Sequence, residues 1–119
     1  MPSLGTITLV GKSGTPYIFE IYNLNTVFNP VSAVYAFTRA EPSTSGIPYH
    51  TVLYVGQTGD LKSRIATHEK LQCVLSRGGN RICVRATPFE QDRLNIEKDL
   101  CQSNEPACNE LLKSTPIRF

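Results

Sequence analysis

Arg64 and His68 fall on the apolar side of a predicted helix, where titratable groups need a binding partner. At about 100° per residue, that side carries a stripe of four aliphatic residues, Leu61, Ile65, Leu71 and Leu75. A second predicted helix has Glu97 near the middle of its broad apolar stripe, with Arg93 beside it. The members of this second stripe are Phe89, Leu94, Ile96, Leu100 and Cys101.

One long charged side chain can reach solvent from an apolar stripe, but two helices of this kind are harder to attribute to packing. Desolvation of unpaired charges costs free energy, so the pattern predicts a cleft where the charges meet a ligand, a metal or each other. A purely structural alternative is a buried Arg64–Glu97 ion pair beside a packing histidine.

Two tyrosines lie on predicted strands close to these helices. If the strands pair, Tyr35 and Tyr54 can bring their phenols to one face of the sheet, although strand tyrosines often serve packing alone. Gly56 ends the second strand just before the helix that carries Arg64. A glycine at that point permits close approach of a backbone or a ligand.

The elements that must position these residues are predicted from runs of branched and aromatic residues between turn signals. Strands are expected at 6–10, 17–22, 33–39, 50–56 and 81–86. One helix is expected over 61–76 with Asp60 as its N-cap, and another from the Thr87–Glu90 capping box to about residue 103. A break at 104–106 and a short turn at 109–113 follow. The predicted fold class is α+β: a small antiparallel sheet of three central strands plus an N-terminal hairpin, flanked by helices.

Length and composition predict a single domain, 1–119. With 40% hydrophobic and 18% charged residues, wholesale disorder is excluded. No apolar run approaches the roughly 20 residues that span a bilayer, so no membrane role is expected. The formal net charge of +2 neither demonstrates nor excludes nucleic-acid binding, because local clustering decides phosphate contact.

The four cysteines are expected to be buried free thiols, and a structural zinc site is the minor alternative. The N-terminus lacks the features of a secretory signal, which favours a cytoplasmic, reducing location.

Taken in order, the segments Ala33-Val34-Tyr35, Tyr54-Val55-Gly56 and Leu61-x-x-Arg64-x-x-x-His68, followed by Glu97 and Asn109, resemble the GIY-YIG nuclease superfamily. The resemblance covers about residues 32–110 and leaves a hairpin extension at 6–22. The helix arginine follows the second tyrosine by ten residues, and the asparagine follows the glutamate by twelve.

The resemblance implies a metal-dependent endonuclease that hydrolyses DNA phosphodiester bonds. The implied catalytic residues are Tyr35, Tyr54, Arg64, His68, Glu97 and Asn109. Glu97 would bind Mg²⁺ or Mn²⁺, and Arg64 would hold the scissile phosphate with Lys62 and Gln57 as further phosphate contacts.

By the same resemblance, Tyr35 would activate or orient the attacking water. Tyr54 and His68 would complete the cluster, and Asn109 would brace it from the C-terminal segment. A tyrosine with its ordinary pKa near 10 is a poor base unless a metal or an arginine lowers that pKa.

The chain departs from the family pattern in three places. Its first motif begins with alanine and valine, its loop at 39–49 is longer than usual, and Gln57 stands where many members have a lysine. A separate DNA-binding domain has no room, which leaves three ways to supply the substrate: a partner protein, a homodimer, or simple affinity for the DNA backbone, which depends strongly on salt. A catalytically weak or inactive nucleic-acid- or protein-binding module on the same fold is the alternative function.

Overall fold

A computed structural model describes residues 3–109 and contains a five-stranded antiparallel sheet. The strands are β1 (Gly5–Val10), β2 (Pro16–Asn23), β3 (Ala33–Glu41), β4 (Tyr49–Thr58) and β5 (Arg81–Ala86). Their order across the sheet is β1-β2-β5-β3-β4, so the two tyrosine strands are neighbours and β4 lies at an edge. The predicted α+β class, the antiparallel sheet and the N-terminal hairpin are confirmed.

The N-terminal hairpin belongs to the same sheet as the central strands. Strand β2 pairs with β5, with Ile21 opposite Cys83. The hairpin turn is also tied to the C-terminal helix, because the Asp99 carboxylate accepts hydrogen bonds from Ser13 N–H at 2.9 Å and from the Tyr17 hydroxyl at 2.8 Å. Gly11 makes this approach possible, since a Cβ at that position would overlap the Asp99 carboxylate.

The single helix predicted over 61–76 is wrong. The chain forms two six-residue helices, α1 (Leu61–Ala66) and α2 (Leu71–Ser76), with a connector at 67–70 between them. The Lys70 N–H, which in a continuous helix would donate to the carbonyl of residue 66, donates instead to the His68 ring. The predicted N-cap Asp60 is confirmed, as its carboxylate accepts from Ser63 N–H at 3.2 Å.

The third helix, α3 (Glu90–Asn104), starts without the predicted capping box. Its N-cap is Phe89, and the hydroxyl of Thr87 donates to the Arg85 carbonyl instead. Phe89 is 69% exposed and so lies outside the core, unlike the buried Ile96. The break after residue 103 is confirmed, whereas residues 110–113 of the predicted final turn lie outside the described residues.

The two faces of the sheet are covered by different helices. On one face, Tyr35 and Tyr54 pack with Leu61 of α1 and Val74 of α2. On the other face, the core joins side chains of β2, β3 and β4 to α3, and its buried members include Phe19, Val34, Ala36, Val55, Ile96 and Leu100. Alternation along β3 and β4 therefore separates the tyrosines from the α3 core.

The chain after α3 returns to the tyrosine face and forms a disulfide there. Cys108 is bonded to Cys73 of α2 across 35 residues of sequence. The expectation of free thiols is therefore wrong for these two cysteines, because tertiary packing brings together segments whose spacing carries no disulfide signature. Cys83 is a buried free thiol, as expected. Among residues 3–109, no helix has the length and apolarity to span a membrane.

Candidate active site

The register of β3 and β4 places the two tyrosines side by side. Tyr35 lies opposite Gly56, and Phe37 lies opposite Tyr54, so all three aromatic rings share one face. A Cβ at Gly56 would lie 2.6 Å from the Tyr35 hydroxyl oxygen and 2.8 Å from a Tyr54 ring carbon. Glycine is therefore required at position 56, and its role is to make room for the phenols.

His68 completes an aromatic cluster, which we define as Tyr35, Phe37, Tyr54 and His68. The imidazole centroid lies 5.0 Å from that of Tyr54 and 5.6 Å from that of Tyr35, nearly perpendicular to both rings. The connector between α1 and α2 positions this ring, because it turns His68 into the core at the point where α1 ends. In a continuous helix the Lys70 N–H would donate to the carbonyl of residue 66, and this turn replaces that hydrogen bond by one to the His68 ring.

Two hydrogen bonds fix the tautomer of His68. Its Nδ1 accepts from the Lys70 N–H at 3.1 Å and so carries no hydrogen. Burial, together with the positive charge of Arg64, lowers the pKa of His68 to about 4, so the ring is neutral at pH 7. The single ring hydrogen is therefore on Nε2, which donates to the Tyr35 hydroxyl oxygen at 2.7 Å.

Both phenols remain protonated at neutral pH. Burial is the main cause that raises the pKa of Tyr35, and the neighbouring Tyr54 raises it further. Burial also raises the pKa of Tyr54. The charge of Arg64 and its hydrogen bonding lower both pKa values but do not outweigh burial.

The guanidinium of Arg64 is held by Glu69, a residue that the sequence analysis did not single out. Arg64 donates from both terminal nitrogens to the two Glu69 carboxylate oxygens, at 2.6 and 2.8 Å. The structural alternative, an Arg64–Glu97 ion pair, is not formed among the described residues. A spacing of five residues does not place two side chains together on one helix face, and only the connector after α1 brings Glu69 back to Arg64.

Glu97 of α3 is half-buried, and no hydrogen bond or ion pair within residues 3–109 reaches its carboxylate. Burial raises the pKa of Glu97 above its ordinary value. Its negative charge in turn raises the pKa of Tyr54, so the carboxylate lies within electrostatic range of the phenol cluster.

A divalent cation fits this carboxylate as a single protein ligand. Within the described part of the chain, no three His, Cys, Asp or Glu side chains form a group that could hold a metal by themselves. Mg²⁺ is commonly bound through one or two carboxylates, with waters and substrate phosphate oxygens as its remaining ligands. An uncompensated, half-buried carboxylate suits that mode of binding.

Asn109 binds the free edge of β4 between Tyr54 and Gly56. Its side-chain oxygen accepts from the Val55 N–H at 2.8 Å, and its side-chain nitrogen donates to the Val55 carbonyl at 3.1 Å. Edge strands leave such backbone groups unpaired, so Asn109 takes the place of a further strand at this point. The adjacent Cys108–Cys73 disulfide holds the segment against α2.

The structure does not bring Lys62 or Gln57 to the aromatic cluster. Lys62 is exposed on α1 and lines a surface depression together with the 24–28 loop. Gln57 points to the opposite face of β4 from Tyr54, and its side-chain oxygen accepts from Nε of the buried Arg93 at 2.9 Å. Arg93 also donates to the Thr87 and Pro88 carbonyls, so it holds the start of α3 to the end of β4.

Comparison of the chain with protein-family models, with curated proteins and with solved structures finds no match. The function of this protein therefore has to be inferred from the residues and geometry of the site.

Proposed function

We propose that this protein is a divalent-metal-dependent endonuclease of the GIY-YIG type that hydrolyses DNA phosphodiester bonds with Mg²⁺ or Mn²⁺. One observation carries the proposal: the half-buried carboxylate of Glu97, which has no partner within residues 3–109, lies within electrostatic range of Tyr54, whose ring packs against His68. Phosphoryl transfer needs a cation-binding carboxylate and a bidentate cation for the phosphate, placed around one small volume. These groups come from different segments, with Arg64 on α1, Glu97 on α3 and the phenols on β3 and β4.

Arg64 is suited to the transferred phosphate, because its planar fork can donate two parallel hydrogen bonds to the non-bridging oxygens. Its terminal nitrogens already make such a bidentate contact with a carboxylate. Glu97 would hold the cation, which would supply charge stabilisation at the phosphate and an acidified water. Lys62 and Gln57 would then contribute less to phosphate binding than Arg64, since neither faces the cluster.

The hydrogen bond from His68 gives Tyr35 an orienting role. The Tyr35 oxygen accepts from Nε2–H, so His68 does not use the phenol hydrogen. Tyr35 is fully buried, so that hydrogen would reach a water or a phosphate oxygen only where one enters the aromatic cluster. Its raised pKa keeps that hydrogen in place at neutral pH. Of the two roles considered for Tyr35, orientation of the attacking water is therefore favoured over proton abstraction.

Asn109 would keep this geometry rigid by fixing the backbone between Tyr54 and Gly56. We further propose a single domain, 1–119, with a core at 32–110. DNA would be its substrate, and a partner protein or a homodimer would supply targeting. The cytoplasmic location expected from the sequence stays a prediction, and the Cys73–Cys108 disulfide argues against it, because such bonds are rare in reducing compartments.

A binding module without useful turnover is the second candidate. The observation that favours it is the bidentate pairing of Arg64 with Glu69, which neutralises the phosphate-binding cation. Such a module would bind DNA in the presence of a chelator and yield no metal-dependent product.

Nicking of supercoiled plasmid, with Mg²⁺, Mn²⁺ or EDTA, tests the two candidates. The key variant is Glu97→Gln, which keeps the side-chain shape and removes the charge; Glu90→Gln, at an exposed position of the same helix, is the matched control. We expect metal-dependent nicking that falls on the order of 10²-fold or more in Glu97→Gln and is unchanged in Glu90→Gln. If the folded wild-type protein gives no nicking with either Mg²⁺ or Mn²⁺, the result supports the binding module. Equal nicking activity of the wild type, Glu97→Gln and Glu90→Gln would overturn the assignment of Glu97.

A further inference from the structure

Glu69 occupies the position on Arg64 that a phosphodiester would take. The carboxylate and the phosphodiester each present two oxygens that share one negative charge. Arg64 binds Glu69 in the bidentate geometry that guanidinium groups use for either ligand. The pair lies beside the aromatic cluster, because Glu69 directly follows His68, a member of that cluster, in the connector between α1 and α2.

Glu69 is free to leave this position. Its side chain is 62% exposed, whereas that of Arg64 is 28% exposed. Glu69 is on the connector between α1 and α2, so its displacement breaks no helical hydrogen bond. Apart from the backbone of Glu69 itself, Arg64 is the only group within residues 3–109 that donates a hydrogen bond to the Glu69 carboxylate.

Protonation does not release Glu69. The hydrogen bonds from Arg64 lower the pKa of its carboxyl to about 2, so it stays ionised at neutral and mildly acidic pH. The contact has to be exchanged for another anion instead.

We propose that Glu69 is an internal competitor of the substrate, which occupies Arg64 until a DNA phosphodiester displaces it. This inference rests on the proposed binding of phosphate by Arg64. Glu69 thereby lowers the affinity of the site for phosphate and acts as a positioning residue for the guanidinium in the free protein. An exposed ion pair contributes little to stability, so the exchange is readily reversible.

Binding of a fluorescent DNA duplex in EDTA, followed by anisotropy, tests the competition without catalysis. The variant is Glu69→Gln, and Glu41→Gln is the matched control, since it makes the same charge change and also removes an exposed pair, with Arg39. We expect Glu69→Gln to tighten binding about fivefold more than Glu41→Gln does. In an Arg64→Gln background, this extra gain should vanish.

Steady-state nicking provides the readout that a merely structural role would not move. We expect Glu69→Gln to lower KM with kcat maintained, and Glu69→Asp, with a shorter reach to Arg64, to lie between it and the wild type. Equal effects of Glu69→Gln and Glu41→Gln, weaker binding in Glu69→Gln, or no DNA binding by any variant would overturn the proposal. Tighter binding in Glu69→Gln with no nicking by any protein would support the competition and refute the proposed nuclease activity.

Discussion

The two sides of the candidate site differ in whether their charged and polar groups have partners within the protein. On the closed side, which we define as Arg64, His68 and their partners, Glu69 binds the guanidinium and both imidazole nitrogens have hydrogen-bond partners. On the open side, the carboxylate of Glu97 is half-buried and has no such partner within residues 3–109. The carboxylate of Glu97 is only half-buried, so solvent or a bound cation can satisfy it. The groups of the closed side are paired within the protein, whereas the open side presents a carboxylate without a protein partner.

The disulfide joins the two sides, and its removal should have the largest effect on stability. Cys73 belongs to α2 on the closed side, and Cys108 follows the helix of the open side. For a loop of 35 residues we expect the Cys73→Ser/Cys108→Ser variant to lose about 4 kcal/mol of unfolding free energy in urea. Reduction of the wild type should give the same loss and leave the variant unchanged. A wild-type transition unaffected by reductant would contradict the linkage.

Acid should weaken the closed side through His68. The pKa of His68 is lowered to about 4 in the folded protein from an ordinary 6.5, so the unfolded chain takes up the proton first. The stability present above pH 6.5 should therefore fall by up to about 3 kcal/mol as the pH drops toward 4. Urea unfolding across this range measures the loss.

The second histidine provides the control for this pH dependence. His68→Gln should remove most of the loss between pH 6.5 and 4.5. His50→Gln should remove a smaller part, because burial lowers the pKa of His50 too but that side chain is only half-buried. If the pH dependence of the unfolding free energy disappears in His50→Gln and persists in His68→Gln, the effect belongs to His50 and the prediction for His68 is wrong.

Loss of the Tyr35 hydroxyl should leave the Nε2 hydrogen of His68 without an acceptor. We expect Tyr35→Phe to lower the unfolding free energy by about 1–3 kcal/mol, the cost of an unsatisfied buried donor. Tyr22→Phe is the control, since Tyr22 packs edge-on against Phe28 and its hydroxyl makes no hydrogen bond within the described residues. Equal losses in the two variants would show that the Tyr35–His68 hydrogen bond contributes nothing to stability.

The smallest change in stability is expected on the open side. Burial raises the pKa of Glu97, so folding is opposed by its ionisation once the pH exceeds the ordinary carboxyl value. Glu97→Gln should therefore leave stability at pH 7 equal or slightly higher, within about 1 kcal/mol of the wild type, although the proposed function predicts a large loss of nicking in the same variant. Thermal unfolding of the two proteins at pH 7 measures the difference. Marked destabilisation would mean that the carboxylate has a structural partner.

The strands and the order of the site residues could be predicted from local patterns. The branched and aromatic runs predicted all five strands to within two residues, since side-chain alternation and turn residues act over short distances. The break in the helix at His68 could not be predicted, because the local sequence is compatible with a continuous helix. The break is explained by the hydrogen bond between His68 and Tyr35 of the sheet, which is a tertiary contact. The thirty-five-residue separation of Cys73 and Cys108 likewise carries no local signal.

By itself, the sequence determined the fold class, the alternation that presents Tyr35 and Tyr54 on one face, and the presence of charged residues on apolar helix surfaces. Only the tertiary structure decided which charged groups pair. Arg64 forms an ion pair with Glu69, and Glu97 pairs with neither of these two residues. The periodic patterns of strands and helices follow from the backbone geometry of each segment alone, so they can be recognised without the rest of the chain. Pairing of charges depends on distances between segments, and those are set only when the faces of the sheet are covered.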